Sequence, residues 1–124
     1  MTFTNCVADM TGGDESWWDY GEKFPFGFVS YGNGSSNSNL VFEDCVALNN
    51  RMNGQTDSNG NPLSYYNGDG FVLEDNNNGT TQFIRCISVN NEDGGYDLKS
   101  AANLEGCVSV KNYRGFRLWH TAKT

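Results

Sequence analysis

The chain has 124 residues, with eight basic and 15 acidic side chains and a net charge of −7 at neutral pH. That length fits a single domain. The acidic balance argues against a nucleic-acid partner, which binds Lys- and Arg-rich surfaces, and against docking on an anionic membrane. No apolar stretch approaches the roughly 20 residues of a membrane-spanning helix, and the first residues lack the pattern of a secretory signal.

Asn and Gly are unusually frequent, with 17 and 15 copies. Helix interiors disfavour both residue types, whereas turns favour them. The aromatic content of 14% is too high for a disordered chain. The composition therefore predicts an ordered, turn-rich, all-β domain.

Four segments centred on a cysteine resemble one another. In each, a large apolar residue stands two or three positions before the cysteine, a β-branched residue follows it, and Ala or Ser comes next. In chain order these segments are 3–8, 42–47, 84–89 and 104–109, around Cys6, Cys45, Cys86 and Cys107. The later segments are followed by Asn49, Asn50, Asn90, Asn91 and Asn112. Internal repetition of this kind indicates a repeat architecture.

Each cysteine segment is followed by a second repeated segment, which contains a Gly, an aromatic residue, a variable residue and usually a Leu. These segments are 27–31, 70–74, 95–99 and 115–119. Successive cysteines are 39, 41 and 21 residues apart. The last spacing is the bare repeat, and the first two contain inserts at roughly residues 10–26 and 51–67.

A repeat of 21 residues without a helix predicts one coil of a parallel β-helix, whose strands pair with their copies in the next coil. The Leu/Asn signature of leucine-rich repeats is missing, and a propeller blade needs about 40 residues with motifs of its own. We therefore expect one β-helix domain of about four coils over residues 1–124. Four coils are few, so the chain is either a piece of a longer β-helix or has its ends covered by a partner chain or by its inserts.

The repeats also assign roles to positions. The cysteines should form a buried column of free thiols, with a disulfide such as Cys86–Cys107 as the alternative, because parallel in-register neighbours fit bridging geometry poorly. The Asn residues fit a stacked turn ladder. The Gly before each aromatic fits a corner that needs either a positive φ or close approach of two chains.

Side-chain alternation assigns the faces of the second segments. The aromatic residue and the residue two positions later should point inwards, and the others outwards. Stacking in register then predicts a first outer row of Val29, Val72, Asp97 and Arg117, and a second outer row of Tyr31, Glu74, Lys99 and Trp119. Neighbours in such rows are close enough to touch.

The string Asn-Cys-Val-Ala, followed by Asn-Asn and then Asp-Gly-Phe, resembles the right-handed parallel β-helix repeat of polysaccharide-active proteins. The similarity is closest to polysaccharide lyase family 9, the pectate-lyase-like proteins, and it covers most of the chain outside the inserts. The resemblance implies a secreted or cell-surface protein that acts on an acidic polysaccharide. In that family a cluster of Asp side chains at an Asp-Asp-Gly-Phe-Asp-like corner holds Ca²⁺.

The matching corner here keeps Asp93 and Asp97, has Gly94 where an Asp is expected, and could take a third carboxylate, Asp69, from the preceding coil. The implied reaction is β-elimination of a uronate, in which a hard cation withdraws charge from the sugar carboxylate. Lys99 is the candidate base by position alone, since the family's Lys lies in a later coil. Its carboxylate neighbours favour the charged form, which is wrong for a base.

Further binding roles follow from residue chemistry. Arg117 could bind a sugar carboxylate through two hydrogen bonds. Trp119 and Tyr31 offer flat faces for sugar rings. Glu74 and His120 would flank them.

Simpler interpretations stand beside these. The charges of the outer rows could form only a surface ion-pair ladder, and Asp69 and Asp93 could be turn formers before Gly. A further coil or an insert could cover Trp119. Trp17 and Trp18, in the first insert, could form a packing lid or a sugar-binding wall. The alternative function is a non-catalytic glycan-binding or structural module, like a piece of an adhesin or tailspike.

Overall fold

The computed structural model describes residues 1–11, 25–31, 39–51, 59–61, 67–74 and 79–119. These ranges contain twelve short strands and no helix. The strands are β1 (Thr2–Thr4), β2 (Val7–Asp9), β3 (Phe26–Ser30), β4 (Val41–Glu43), β5 (Val46–Leu48), β6 (Asp69–Leu73), β7 (Thr81–Ile84), β8 (Ile87–Val89), β9 (Gly94–Leu98), β10 (Ala102–Glu105), β11 (Val108–Val110) and β12 (Arg114–Leu118).

Every third strand joins the same parallel sheet. The first sheet has the order β1-β4-β7-β10, the second β2-β5-β8-β11 and the third β3-β6-β9-β12. Three consecutive strands therefore make one turn of the chain, and four turns stack with parallel pairing. The predicted right-handed parallel β-helix of about four coils is confirmed.

Aromatic rings in two stacks fill the interior. In the third sheet, rings repeat with centroids 4.8 to 5.1 Å apart and planes within 9° of parallel, in the order Phe28, Phe71, Tyr96 and Phe116. In the first sheet, Phe3, Phe42 and Phe83 stack at 5.0 and 5.3 Å. The two stacks meet edge to face, which is a favourable arrangement of ring quadrupoles. Aromatic side chains at one repeat position thus fix the register of the coils.

The four cysteines form the predicted interior column. All are free thiols, and those of the two central coils, Cys45 and Cys86, are fully buried. Three thiols donate a hydrogen bond to a carbonyl of the preceding coil: Cys45 to Phe3 at 3.4 Å, Cys86 to Phe42 at 3.3 Å and Cys107 to Phe83 at 3.3 Å. These bonds tie each coil to the one before it.

The predicted asparagine ladder lies at the corner between the second and third sheets. Asn50 donates from its amide nitrogen to Asn91 Oδ1 at 2.7 Å, and Asn91 donates to Asn112 Oδ1 at 2.9 Å. The same oxygens accept the backbone N–H groups of Asn50 and Asn91. Each side chain therefore satisfies buried polar groups of its neighbour, which would otherwise destabilise the fold.

None of the four glycines before the inner aromatics has a positive φ, and three of them, Gly27, Gly70 and Gly95, allow close approach of neighbouring atoms. A Cβ on Gly95 would lie 2.4 Å from Ser109 Oγ and 2.7 Å from the carbonyl oxygen of Gly115. A Cβ on Gly70 would meet Ser88 Oγ at 2.2 Å. Positive φ occurs elsewhere, for example at Asn49.

Both predicted inserts leave the β-helix at the corner between the second and third sheets, one between β2 and β3 and the other between β5 and β6. Most of their residues, including Trp17 and Trp18, lie outside the described residues, so the proposed lid stays a prediction. What covers the ends of the helix also stays a prediction. Among the described residues, no helix is long and apolar enough to cross a membrane.

Candidate functional site

The outer face of the third sheet carries both predicted rows. Strand pairing aligns the first outer row as Val29, Val72, Asp97 and Arg117. Backbone hydrogen bonds from Glu74, Lys99 and Trp119 to the preceding coil continue the register into the second outer row. The rows are not a uniformly exposed surface, because Val72 and Asp97 are buried.

Three buried carboxylates gather where the third sheet begins, and we call Asp69, Asp93 and Asp97 the acidic cluster. Asp69 opens β6, Asp93 immediately precedes β9, and Asp97 lies within β9. None is more than 2% exposed. The structure therefore brings together the three residues that the sequence grouped.

Gly94 makes room for Asp69. A Cβ on Gly94 would lie 2.6 Å from Asp69 Oδ1, and the Gly94 backbone N–H donates a hydrogen bond to that oxygen. Gly94, which stands where the family resemblance predicts an Asp, thus leaves space for the carboxylate of Asp69 from the neighbouring coil.

Arg117 occupies the centre of the acidic cluster. Its Nη2 lies 2.6 Å from Asp97 Oδ2 and 4.0 Å from Asp69 Oδ2, and its Nη1 lies 3.0 Å from Asp93 Oδ2. The side chain is only 19% exposed. Hydrogen bonds to Asp97 raise the pKa of Arg117 further above its usual range, so the guanidinium is a permanent positive charge at this point.

Arg114 is a second cation of the cluster, and the sequence pattern did not predict it. Its Nη1 donates to Asp93 Oδ1. Strand pairing aligns Arg114 with Gly94, and the register of Phe71 with Tyr96, extended by two residues, aligns Gly94 with Asp69 of the coil before. Aligning the repeats through this column would have placed Arg114 beside the acidic residues.

Asp69 remains incompletely partnered. Its Oδ1 accepts the Gly94 N–H, but its buried Oδ2 has no hydrogen-bond partner among the residues that the structure describes. Burial raises the pKa of Asp69 to about 7, and the charges of Asp97 and Asp93 add to the effect. A carboxyl with such a displaced pKa, in contact with charged neighbours, marks a candidate functional site.

Lys99 and Glu74 form a separate ion pair in the second outer row. Lys99 Nζ donates to Glu74 Oε2 at 2.6 Å, and both side chains are about three-quarters buried. The opposite charge at this distance favours the ammonium form of Lys99. The arrangement suits a charged lysine better than the neutral lysine that a base requires.

Trp119 joins the two charged groups. Its ring centroid lies 5.5 Å from Lys99 Nζ and 5.3 Å from Arg117 Cζ, within the range of cation–π attraction. Its indole N–H donates to Asp97 Oδ1. These contacts with the protein hold the indole ring in place, and Trp119 remains 40% exposed.

The remaining predicted binding residues lie at the margins. Tyr31 follows β3 at the other end of the second outer row and is 69% exposed. Three rungs separate it from Trp119, about 14 Å at the usual strand spacing. His120 lies outside the described residues, so its predicted flanking role stays a prediction.

The acidic cluster as it stands does not fit Ca²⁺. A guanidinium stands among the carboxylates where a cation would be held. Across the described ranges, no group of three or more His, Cys, Asp or Glu side chains is arranged to hold a metal ion. Calcium remains a prediction of the sequence resemblance.

Comparison with protein-family models, with curated proteins and with solved structures finds no match to this chain. The β-helix architecture therefore rests on the strand pairing, and the resemblance to family 9 lyases rests on the sequence motifs.

Proposed function

We propose that this chain is a saccharide-binding β-helix module related to the polysaccharide lyases of family 9. Its ligand is an acidic polysaccharide outside the cell, which lies along the second outer row from Trp119 towards Tyr31. The motifs support the relationship to the family, and the geometry of the row supports binding.

Trp119 is the observation that carries this proposal. Its indole N–H is bonded to Asp97 and its ring contacts two cations, so little side-chain freedom remains to be lost when a ligand binds. A half-exposed ring held in this way offers a flat apolar face for a sugar ring.

Cations beside Trp119 suit an acidic ligand. The net charge of −7 repels a polyanion at long range. Arg117 and the partly exposed Lys99 lie 5.3 and 5.5 Å from the centre of the Trp119 ring and place positive charge beside it.

Binding is tested by calorimetric titration of polygalacturonate and alginate oligosaccharides into the wild type, Trp119→Ala and Tyr113→Ala. Tyr113 is the matched control, because its ring also lies over an arginine, Arg114, at 4.9 Å and is 78% exposed. We expect Trp119→Ala to lose about tenfold in affinity, equivalent to ~1.4 kcal/mol, and Tyr113→Ala to bind as the wild type does. Equal affinity of Trp119→Ala and the wild type contradicts the proposal.

A catalytic role is the second candidate, favoured by the placement of Lys99 and Arg117 beside the same aromatic ring. In β-elimination, a base takes the proton next to the sugar carboxylate, and the glycosidic oxygen leaves. Lys99 could act as that base only after giving up its proton, against the attraction of Glu74.

The two candidates differ in their products. Incubation of the oligosaccharides with the wild type and Lys99→Ala, followed by ultraviolet absorbance of unsaturated sugars, separates them. A lyase gives absorbance that depends on Lys99, whereas a binding module gives no change with either protein. Absorbance that rises in the wild type and not in Lys99→Ala replaces the binding proposal with the catalytic one.

A further inference from the structure

Three buried carboxylates grouped around one point require a compensating charge. Asp69, Asp93 and Asp97 are removed from water, and desolvation together with mutual repulsion disfavours their charged forms. Proteins commonly solve this problem with a bound cation, for which carboxylate oxygens are hard ligands.

Here a side chain of the last coil supplies the charge. Arg117 reaches back from β12 and lies within 4.0 Å of an oxygen of each carboxylate. Two nitrogens of its guanidinium face Asp97, at 2.8 and 2.6 Å. Arg114 neutralises Asp93 from the other side.

The fit to the guanidinium is incomplete at one atom. Asp69 Oδ2 is buried and has no hydrogen-bond partner within the described ranges, although it lies 4.0 Å from Arg117 Nη2. A spherical cation imposes no fixed donor directions and could approach that oxygen closely, whereas a planar guanidinium already engaged with Asp97 cannot.

We propose that the acidic cluster is a latent divalent-cation site in which the guanidinium of Arg117 takes the place of the metal. The native chain therefore needs no Ca²⁺, and its fourth coil is locked to the second and third through this side chain. Removing the side chain opens the cluster to Ca²⁺. This inference is independent of saccharide binding and goes beyond it.

The experiment measures the thermal unfolding midpoint of the wild type, Arg117→Met and Arg85→Met, each in EDTA and in millimolar Ca²⁺. Arg85 is the matched control, because it also pairs with two carboxylates of the preceding coil, Glu43 and Asp44, but at an exposed position. For the wild type and for Arg85→Met, we expect Ca²⁺ to leave the unfolding midpoint of each protein at its value in EDTA. Arg117→Met should unfold several degrees lower in EDTA and regain much of that loss in Ca²⁺.

Two further variants keep the test decisive. Asp69→Asn combined with Arg117→Met should recover stability in EDTA and lose the response to Ca²⁺, because one buried charge has gone. If Arg117→Met is unfolded in EDTA, its circular dichroism on addition of Ca²⁺ is the readout, and refolding is expected. Terbium luminescence excited through Trp119, which contacts Asp97, should appear in Arg117→Met and be absent from the wild type.

Two results would overturn the inference. One is a rise in the wild-type midpoint with Ca²⁺ that Asp93→Asn abolishes, because the native cluster would then hold a metal. The other is an Arg117→Met protein that gains neither stability, nor folding, nor terbium luminescence, because the cluster would then be no cation site.

Discussion

Arg117 binds the carboxylate of Asp97 with two hydrogen bonds, from Nε to Oδ1 at 2.8 Å and from Nη2 to Oδ2 at 2.6 Å. The two residues are neighbours in register on β12 and β9, so the pair joins the fourth coil to the third. The Arg117 side chain is only 19% exposed, and the Asp97 side chain is almost fully buried. Bidentate pairs of this kind are geometrically specific and strong, and their loss leaves a buried charge.

Neutralising Asp97 should therefore destabilise the fold. We expect Asp97→Asn to lower the free energy of unfolding by on the order of 3 kcal/mol, as when one partner of a buried ion pair is removed. Urea denaturation at neutral pH measures the change. Asp44→Asn is the control, since it removes an exposed partner of Arg85 and should have a much smaller effect. Equal effects of the two substitutions would show that the Asp97 pair is not structurally important.

Asp69 should make stability fall as the pH rises from about 4 to about 7. Burial raises the pKa of Asp69 from 3.8 to about 7 in the folded protein, so the folded state holds a proton that the unfolded state has already lost. The stabilising contribution of Asp69 to the free energy of unfolding is fully present below pH 4 and is lost as the pH passes 7. A shift of this size corresponds to about 4 kcal/mol.

Urea denaturation of the wild type and Asp69→Asn across this pH range tests the effect. As the pH rises, the free energy of unfolding of the wild type should fall relative to that of Asp69→Asn. A constant difference would mean that the Asp69 carboxyl titrates normally in the folded protein.

Two glycines at the same repeat position should differ in their tolerance of a methyl group. In Gly95→Ala, the Cβ would meet Ser109 Oγ and the Gly115 carbonyl oxygen at less than 3 Å, and overpacking of this kind costs about 1–3 kcal/mol. In Gly115→Ala, the closest atom is 3.4 Å away. Thermal unfolding should show a clear loss for the first variant and little change for the second. Similar midpoints would contradict the close stacking of the coils.

The cysteine column predicts an order of thiol modification. Cys45 and Cys86 are fully buried, whereas Cys6 and Cys107 are partly accessible. Interaction with the neighbouring Cys86 thiol lowers the pKa of Cys107, which increases its thiolate fraction and its reactivity. Alkylation followed by mass spectrometry should modify Cys107 first and the buried pair only in denaturant. Early modification of Cys45 would be incompatible with an interior column.

The register of the coils follows from the repeats, which is why the sequence predicts it. Phe71 and Tyr96 stack because they occupy the same position in successive units, and Asn91 bonds to Asn112 for the same reason. A parallel in-register coil brings like residues together whatever else surrounds them. Strand alternation likewise predicts the two outer rows.

The direction of long charged side chains does not follow from the repeats. The sequence assigned Arg117 to a substrate carboxylate, but the structure turns its guanidinium into the acidic cluster. The carboxylates that the Arg117 guanidinium reaches are those buried beside it. Side-chain alternation alone does not predict that Asp93 and Asp97 are buried. Arg114 was not predicted because the residue aligned with it in the adjacent coil is Gly94, whereas its carboxylate partner, Asp93, stands one position earlier.

The most direct test of the proposed binding face is a crystal structure with a soaked uronate oligosaccharide. The account predicts a sugar ring stacked on the indole of Trp119, with the Arg117 guanidinium still bonded to Asp97. An oligosaccharide bound on another face, with the ring of Trp119 uncovered, would contradict it.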